Sequence, residues 1–224
     1  MTDARIVFGG GGDEKDSLPL DEIFARWVGK GRVLYLPTAL VHPSNKQAGL
    51  RWIQQAFAPL GVHEIEAWMN LPGKSAREMA AYDAVYIGGG NTFYLLQQLR
   101  HYHLDTALEE MIQQGKPVYG GSAGAIVLGY DIISCAHIDE NLIGLTDYAG
   151  IDMALGYTIW CHYTPEDYNR IHDYVARSGI PSIALSERSG AYREGDHLFA
   201  AGYEPAVHFT LEGASEVPPG KQIV

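Results

Sequence analysis

Lys116-Pro117-Val118-Tyr119-Gly120-Gly121-Ser122-Ala123-Gly124-Ala125 is a short apolar run that stops at a serine among glycines and resumes as a helix-forming stretch. Few backbone arrangements suit such a segment. It fits the Gly-x-Ser-x-Gly nucleophile elbow, in which a strand turns sharply into a helix and leaves the serine oxygen exposed at the strand's C-terminal tip. The turn holds the serine in a strained conformation, and a side chain on Gly120 or Gly124 would collide with the adjoining strand or helix. The first N–H groups of the following helix, that of Ala123 included, have no partner within the helix and can face a developing negative charge. An ordinary tight turn between strand and helix fits the pentapeptide equally well, so the surrounding chain must decide.

That chain alternates strand and helix patterns up to about residue 128. Arg5 to Phe8 reads as a strand ending at Gly9-Gly10-Gly11-Gly12, and Leu18 to Val28 has helical spacing. The glycines do not match the dinucleotide fingerprint, because Glu14 stands where the third glycine is required. Strands follow at Arg32 to Leu36, Val62 to Trp68 and Ala84 to Ile87, with helices at Ser44 to Leu60 and, capped by Ser75 with Glu78, at Ser75 to Tyr82. The strand at Ala84 to Ile87 ends in Gly88-Gly89-Gly90-Asn91-Thr92, which opens a long helix, and a further helix spans Asp105 to Gln114 before the elbow. This alternation predicts an α/β fold with a doubly wound, mainly parallel sheet flanked by helices, whose ligands bind beyond the C-terminal strand ends.

The remainder differs in character. Tyr130 to Gly156 is polar and turn-rich and is expected to be irregular structure with short strands, bordering a cleft. Thr158 to Tyr163 reads as a strand, and Pro165 starts a helix that ends at Gly179. Ser182 to Leu185, Gly190 to Arg193 and His197 to Ala200 read as strands of a small antiparallel C-terminal extension. With no linker or repeat, the 224 residues are read as a single domain, 1–224.

A formal charge of −11 opposes binding to nucleic acid or anionic membranes, and no basic block offsets it. Cys135 and Cys161 supply neither a disulfide framework nor a zinc spacing. The N-terminus runs into a strand without a signal-like apolar segment, and no window reaches the roughly 20 apolar residues of a membrane span. A cytoplasmic location is therefore expected.

A serine hydroxyl is a poor nucleophile until a base takes its proton, and histidine has the suitable pKa. Of nine histidines, His162 is best placed because it ends a strand just before a helix start, and His137 competes. His101, His103, His172 and His197 fall on predicted surfaces. The base needs an orienting carboxylate: Glu187 follows the apolar run Ser182-Ile183-Ala184-Leu185, and Asp139 lies in the polar stretch after the elbow. Backbone N–H groups of Gly90 and Ala123, from neighbouring strand tips, would form an oxyanion hole.

These segments together resemble the peptidase E (α-aspartyl dipeptidase) and cyanophycinase family of serine peptidases, whose fold is similar to class I glutamine amidotransferases. The resemblance covers most of the chain. It rests on Gly88-Gly89-Gly90-Asn91-Thr92-Phe93, the Ser122 elbow, Trp160-Cys161-His162-Tyr163 and Ala184-Leu185-Ser186-Glu187-Arg188-Ser189-Gly190. It implies Ser122 as nucleophile, His162 as base and Glu187 as orienting acid, with Asp139 as the other acid the pattern permits, and Gly90 and Ala123 as oxyanion donors. It also implies Asn91, Thr92 and Arg170 as substrate-binding residues, a small peptide as substrate, and no metal or organic cofactor. The aspartyl dipeptidases carry a Thr-Arg-Glu-x-x-Arg-like segment after the histidine. Here Glu166-Asp167-Tyr168-Asn169-Arg170 puts an acid in place of the first arginine, so the resemblance carries over the reaction class and not the aspartyl preference. The expected function is a dipeptidase-like serine exopeptidase; the alternatives are a catalytically silent metabolite-binding module and an amidotransferase-like hydrolase of another amide.

Overall fold

The computed structural model describes residues 3–224. Strands β1 (Arg5–Gly9), β2 (Val33–Leu36), β3 (Ile65–Ala67), β4 (Ala84–Ile87) and β5 (Val118–Gly121) run parallel in the spatial order β3-β2-β4-β5-β1. Between and after them come helices α1 (Leu18–Val28), α2 (Pro43–Phe57), α3 (Ala76–Met79), α4 (Thr92–His101), α5 (Leu104–Gln113) and α6 (Ala123–Val127). The helix expected to reach Leu60 ends as α at Phe57 and closes with a 3-10 turn, Ala58–Leu60, around Pro59, which has no N–H to continue the ladder. The Ser75 cap forms as read: its hydroxyl accepts from Glu78 N–H at 3.3 Å and donates to the Glu78 carboxylate at 2.9 Å.

Successive residues of each strand point to opposite faces. On one face Ile6, Phe8, Leu34, Leu36, Val85 and Ile87 pack with Leu95, Leu99, Leu108 and Met111 of α4 and α5. On the other, Val7, Val33, Tyr35, Tyr86 and Tyr119 meet Leu20 and Phe24 of α1 and Ile53 and Phe57 of α2. Helices therefore cover both faces, as a doubly wound sheet requires. Tyr35, Tyr86 and Tyr119 stand in register across β2, β4 and β5, with Tyr86 stacked on Tyr119 at 4.5 Å between ring centroids and Phe24 edge-on to Tyr119 at 5.5 Å.

Asp21 of α1 is buried at this face, 1% exposed, and accepts from the Ser17 hydroxyl at 2.9 Å. Burial raises its pKa from 3.8 to about 7, although hydrogen bonds from Ser17 and Tyr119 pull the other way. Because the folded state then holds a proton that the unfolded chain has released, the contribution of Asp21 to stability falls as pH rises between about 4 and about 7 and is level above that. Asp21→Asn, which cannot ionise, is expected to gain on the wild type across that window by on the order of a few kcal/mol. Denaturant melts at pH 4, 5.5 and 7 check this; a constant difference between the two proteins would contradict it.

Beyond α6 the chain is irregular as far as β6 (Thr158–Trp160), with a 3-10 turn at Ile133–Cys135 and an isolated bridge between Asp131 and Ala149. Then follow α7 (Tyr168–Ser178), β7 (Ser182–Ala184), β8 (Ser189–Glu194), β9 (His197–Gly202), β10 (Ala206–Thr210) and β11 (Gly213–Val217). The antiparallel extension is divided. β8 and β9 add to the main sheet beyond β1, while β6, β7, β10 and β11 form a second sheet in the order β11-β10-β7-β6. Of this second sheet β6 and β7 are parallel, joined by α7, and β10 and β11, which sequence patterning did not single out, complete it. Among the described residues no helix is long and apolar enough to cross a membrane.

The tip of β1 ties the two sheets together. Gly9 C=O accepts from Ser122 N–H at 3.0 Å, Gly10 C=O accepts from His162 N–H at 2.9 Å, and Gly10 N–H donates to Ser189 C=O at 3.1 Å.

Candidate active site

Ser122 joins β5 to α6 at φ 50° and ψ −113°, a region that a non-glycine residue enters only under constraint. The constraint is visible in its flanks. A Cβ on Gly120 would lie 2.5 Å from the Gly124 carbonyl, and one on Gly124 would lie 2.2 Å from the Ile87 carbonyl oxygen. The elbow thus packs backbone on backbone against β4, and larger residues would push the serine away.

Ser122 Oγ lies 2.8 Å from His162 Nε2, and His162 Nδ1 lies 3.3 Å from Glu187 Oε1. β6 ends at Trp160, so His162 stands two residues past the strand rather than on its last residue, and its backbone is also left-handed, with φ 56°. That turn, held by Gly10 C=O, swings the imidazole across to the elbow. Glu187 lies in the turn between β7 and β8, with its side chain 62% exposed against 34% for that of His162. Cys161 is not a competing nucleophile: it is buried, its sulfur lies 3.5 Å from Ser122 C=O, and burial pushes the thiol pKa far above its ordinary value.

The glycine run after β1 turns out to serve the histidine. Gly11 has φ 118°, and a Cβ there would stand 2.2 Å from the His162 Cε1 atom. Gly11→Ala is accordingly expected to displace the ring and lower turnover on the order of 10²-fold, the scale associated with an ångström of misplacement in a reacting group. Steady-state kinetics against the wild type test it; full activity in a folded variant would contradict the packing described.

Gly88 to Gly90 bring the tip of β4 against the serine, where a Cβ on Gly89 would stand 3.2 Å from Ser122 Cβ. Among the described residues, no backbone carbonyl accepts from the N–H of Gly90 or of Ala123. Asp139, the second acid read from the sequence, does not reach His162. Its carboxylate accepts from Thr92 N–H at 2.8 Å at the start of α4, where the helix dipole favours a negative charge. Asn91 caps the same helix, accepting from Tyr94 N–H at 2.9 Å and donating to Glu140 C=O at 2.9 Å, and the Thr92 side chain is fully buried. The Asn91 side chain and the Thr92 N–H therefore fasten the glycine tip to the 139–140 segment, while the Thr92 hydroxyl is buried without a hydrogen-bond partner among the described residues. Asp139→Asn keeps an acceptor for Thr92 N–H and is expected to cost roughly tenfold or less in kcat, the value of about one cap interaction; a larger loss would place Asp139 among the reacting groups.

His137 and Arg170 lie elsewhere. The His137 ring lies tilted against Trp160 with centroids 5.9 Å apart, its Nε2 is 3.7 Å from Asp167, and burial followed by the charge of Arg170 lowers its pKa. Arg170, on α7, pairs with Asp167. Both line a groove of about 600 Å³ together with Trp160, Tyr174 and Arg177, a lining that includes neither Ser122 nor His162.

Residues 6–200 match Peptidase family S51. The chain belongs to Peptidase family S51. Among curated relatives it is 30% identical over 139 residues to Peptidase E of Shewanella amazonensis, a match covering 57% of each chain. In the first curated relatives matched, the aligned segment spans only 57 to 60% of their length. Two solved structures share the fold along nearly their whole length. A peptidase from an acI-B1 Actinobacterium superposes with a TM-score of 0.75 at 18% identity, covering 99% of this chain and 97% of the other. A Listeria monocytogenes EGD-e protein assigned as a Peptidase E superposes with a TM-score of 0.69 at 22% identity, covering 89% and 98%.

Proposed function

We propose that this S51 member is a serine-type exopeptidase, dipeptidase-like in substrate size, that works through an acyl-enzyme on Ser122. The observation that carries the reading is the 2.8 Å contact between Ser122 Oγ and His162 Nε2 at a left-handed strand tip. His162 Nε2 takes the hydroxyl proton as Oγ attacks the peptide carbonyl carbon, and the C=O bond becomes a C–O⁻ in the tetrahedral intermediate. Nδ1–H of the same ring donates toward Glu187, whose charge stabilises the imidazolium. The oxyanion turns toward the N–H groups of Gly90 and Ala123, neither of which donates to a backbone carbonyl among the described residues. The imidazolium then protonates the leaving amine, the C–N bond breaks, and water repeats the sequence in reverse to free the acid and restore Ser122.

All of these steps use groups of this chain. The acid at Glu166 or Asp167, in place of an arginine, argues against a substrate whose side chain is a carboxylate, and Arg170 is neutralised by Asp167. A cytoplasmic location agrees with two cysteines that are buried and unpaired. Incubating the purified protein with a library of dipeptides and isopeptides and quantifying the released amino acids tests the function. Hydrolysis of α-linked dipeptides, with aspartyl substrates not preferred, is the expected result; failure to cleave any member of the library would contradict it.

A further inference from the structure

Glu187 is more than half exposed and reaches His162 at 3.3 Å, so nothing in its own side-chain packing fixes it there. Its backbone is fixed by its neighbours. Ser186 N–H donates to Ser189 Oγ at 2.8 Å and Ser189 N–H returns to Ser186 C=O at 3.1 Å, closing the turn. Outside the turn, Glu204 holds it from two sides. Glu204 Oε2 accepts from Ser186 Oγ at 2.6 Å, while Oε1 lies 3.9 Å from Arg188 Nη1. The N–H groups of Tyr203 and Glu204 both donate to Arg188 C=O, at 2.8 and 3.2 Å. Arg188 in turn sits over the Tyr203 ring at 5.2 Å and reaches Asp16 in the loop after the glycine run at 3.3 Å.

Glu204 lies in the connection between β9 of the main sheet and β10 of the second sheet, four residues beyond the segment matched to the family. We propose that Glu204 is a positioning residue for the reaction: through Ser186 it sets the Glu187 turn at the height from which the carboxylate meets His162. The proposal rests on the reading of Glu187 as the acid that orients His162. The short bond to Ser186 carries the effect, since the exposed ion pair with Arg188 contributes little in water. A hydroxyl-to-carboxylate bond is among the stronger of the protein's hydrogen bonds, and its loss frees a turn whose carboxylate already stands at the long end of hydrogen-bond range.

The test is steady-state kinetics on the full chain for Glu204→Ala, Glu204→Gln, Ser186→Ala, Glu187→Gln and the double variant Glu187→Gln/Glu204→Ala, with a thermal melt of each. Glu204→Ala is expected to lower kcat about tenfold with KM within about twofold, the scale of losing one charge-assisted bond in the transition state. Glu204→Gln, which still accepts from Ser186, should recover most of that, and Ser186→Ala should reproduce the loss even where Glu204→Ala proves unstable. In the Glu187→Gln background the Glu204 substitution should cost nothing further, because there is no longer a charge to position. A full additional loss in the double variant would make Glu204 a general structural residue and overturn the proposal. Unchanged kcat in both Glu204→Ala and Ser186→Ala, beside a crippled Glu187→Gln, would overturn the proposal and leave the role of Glu187 intact. A fully active Glu187→Gln would instead remove the reading underneath, and the proposal with it.

Discussion

Ser122→Ala is expected to abolish peptide hydrolysis, with kcat falling on the order of 10⁴–10⁶-fold, while the protein unfolds at nearly the wild-type temperature. The two halves follow from different parts of the site. A half-buried hydroxyl at a strand tip adds little to either hydrophobic cluster, whereas acylation cannot occur without it. His162→Ala should be nearly as severe, and the Ser122→Ala/His162→Ala pair little worse than either alone, since nucleophile and base act as one unit. Losses that multiplied in the pair would mean that the two side chains serve separate functions. The backbone gives one further expectation: because Ser122 sits at φ 50°, Ser122→Gly should be at least as stable as Ser122→Ala, glycine entering that region without strain.

Glu187→Gln carries the largest expected effect after Ser122 and His162, on the order of 10²–10⁴ in kcat, by analogy with the 10⁴ cost of the corresponding acid-to-amide change in serine proteases. The substitution preserves size and one acceptor oxygen but removes the charge that faces the imidazolium, and its amide can hold the imidazole in the wrong tautomer. The exposure of Glu187 places the expectation toward the lower end of that range, because water screens a charge in that position. Kinetics of Glu187→Gln beside Asp139→Asn decide between the two acids. Should Asp139→Asn be the crippled variant and Glu187→Gln work normally, the 139 loop would have to leave Thr92 and fold over His162 during turnover.

Local pattern in the chain was enough to find the parallel strands, the helices between them and the elbow, because each is written in a run of adjacent residues with its own period and cap. Gly120 and Gly124 illustrate it: their spacing around Ser122 states that strand and helix backbones approach closely, and the fold supplies the partners, Gly124 for Gly120 and Ile87 for Gly124. What local pattern does not contain is partnership. The strands Ser189–Glu194 and His197–Gly202 read as an extension of their own, yet they complete the main sheet beside β1, and that choice depends on register with Arg5–Gly9 far away in the chain. Asp139 shows the same limit in the site. A carboxylate in a polar loop looks equally suited to a histidine or a helix start, and only the folded position of Thr92 distinguishes them. The run Gly9 to Gly12 was legible as something unusual but not as a seat for His162, since the ring that Gly11 accommodates arrives from 151 residues further on.

Whether His162 activates Ser122 can be read from labelling with a fluorophosphonate, followed by mass spectrometry of the digested protein. A single adduct is expected on the peptide containing Ser122, formed quickly by the wild type, slowly by His162→Ala and not at all by Ser122→Ala. A wild-type protein that stays unlabelled, or an adduct on another residue that persists in Ser122→Ala, would contradict it.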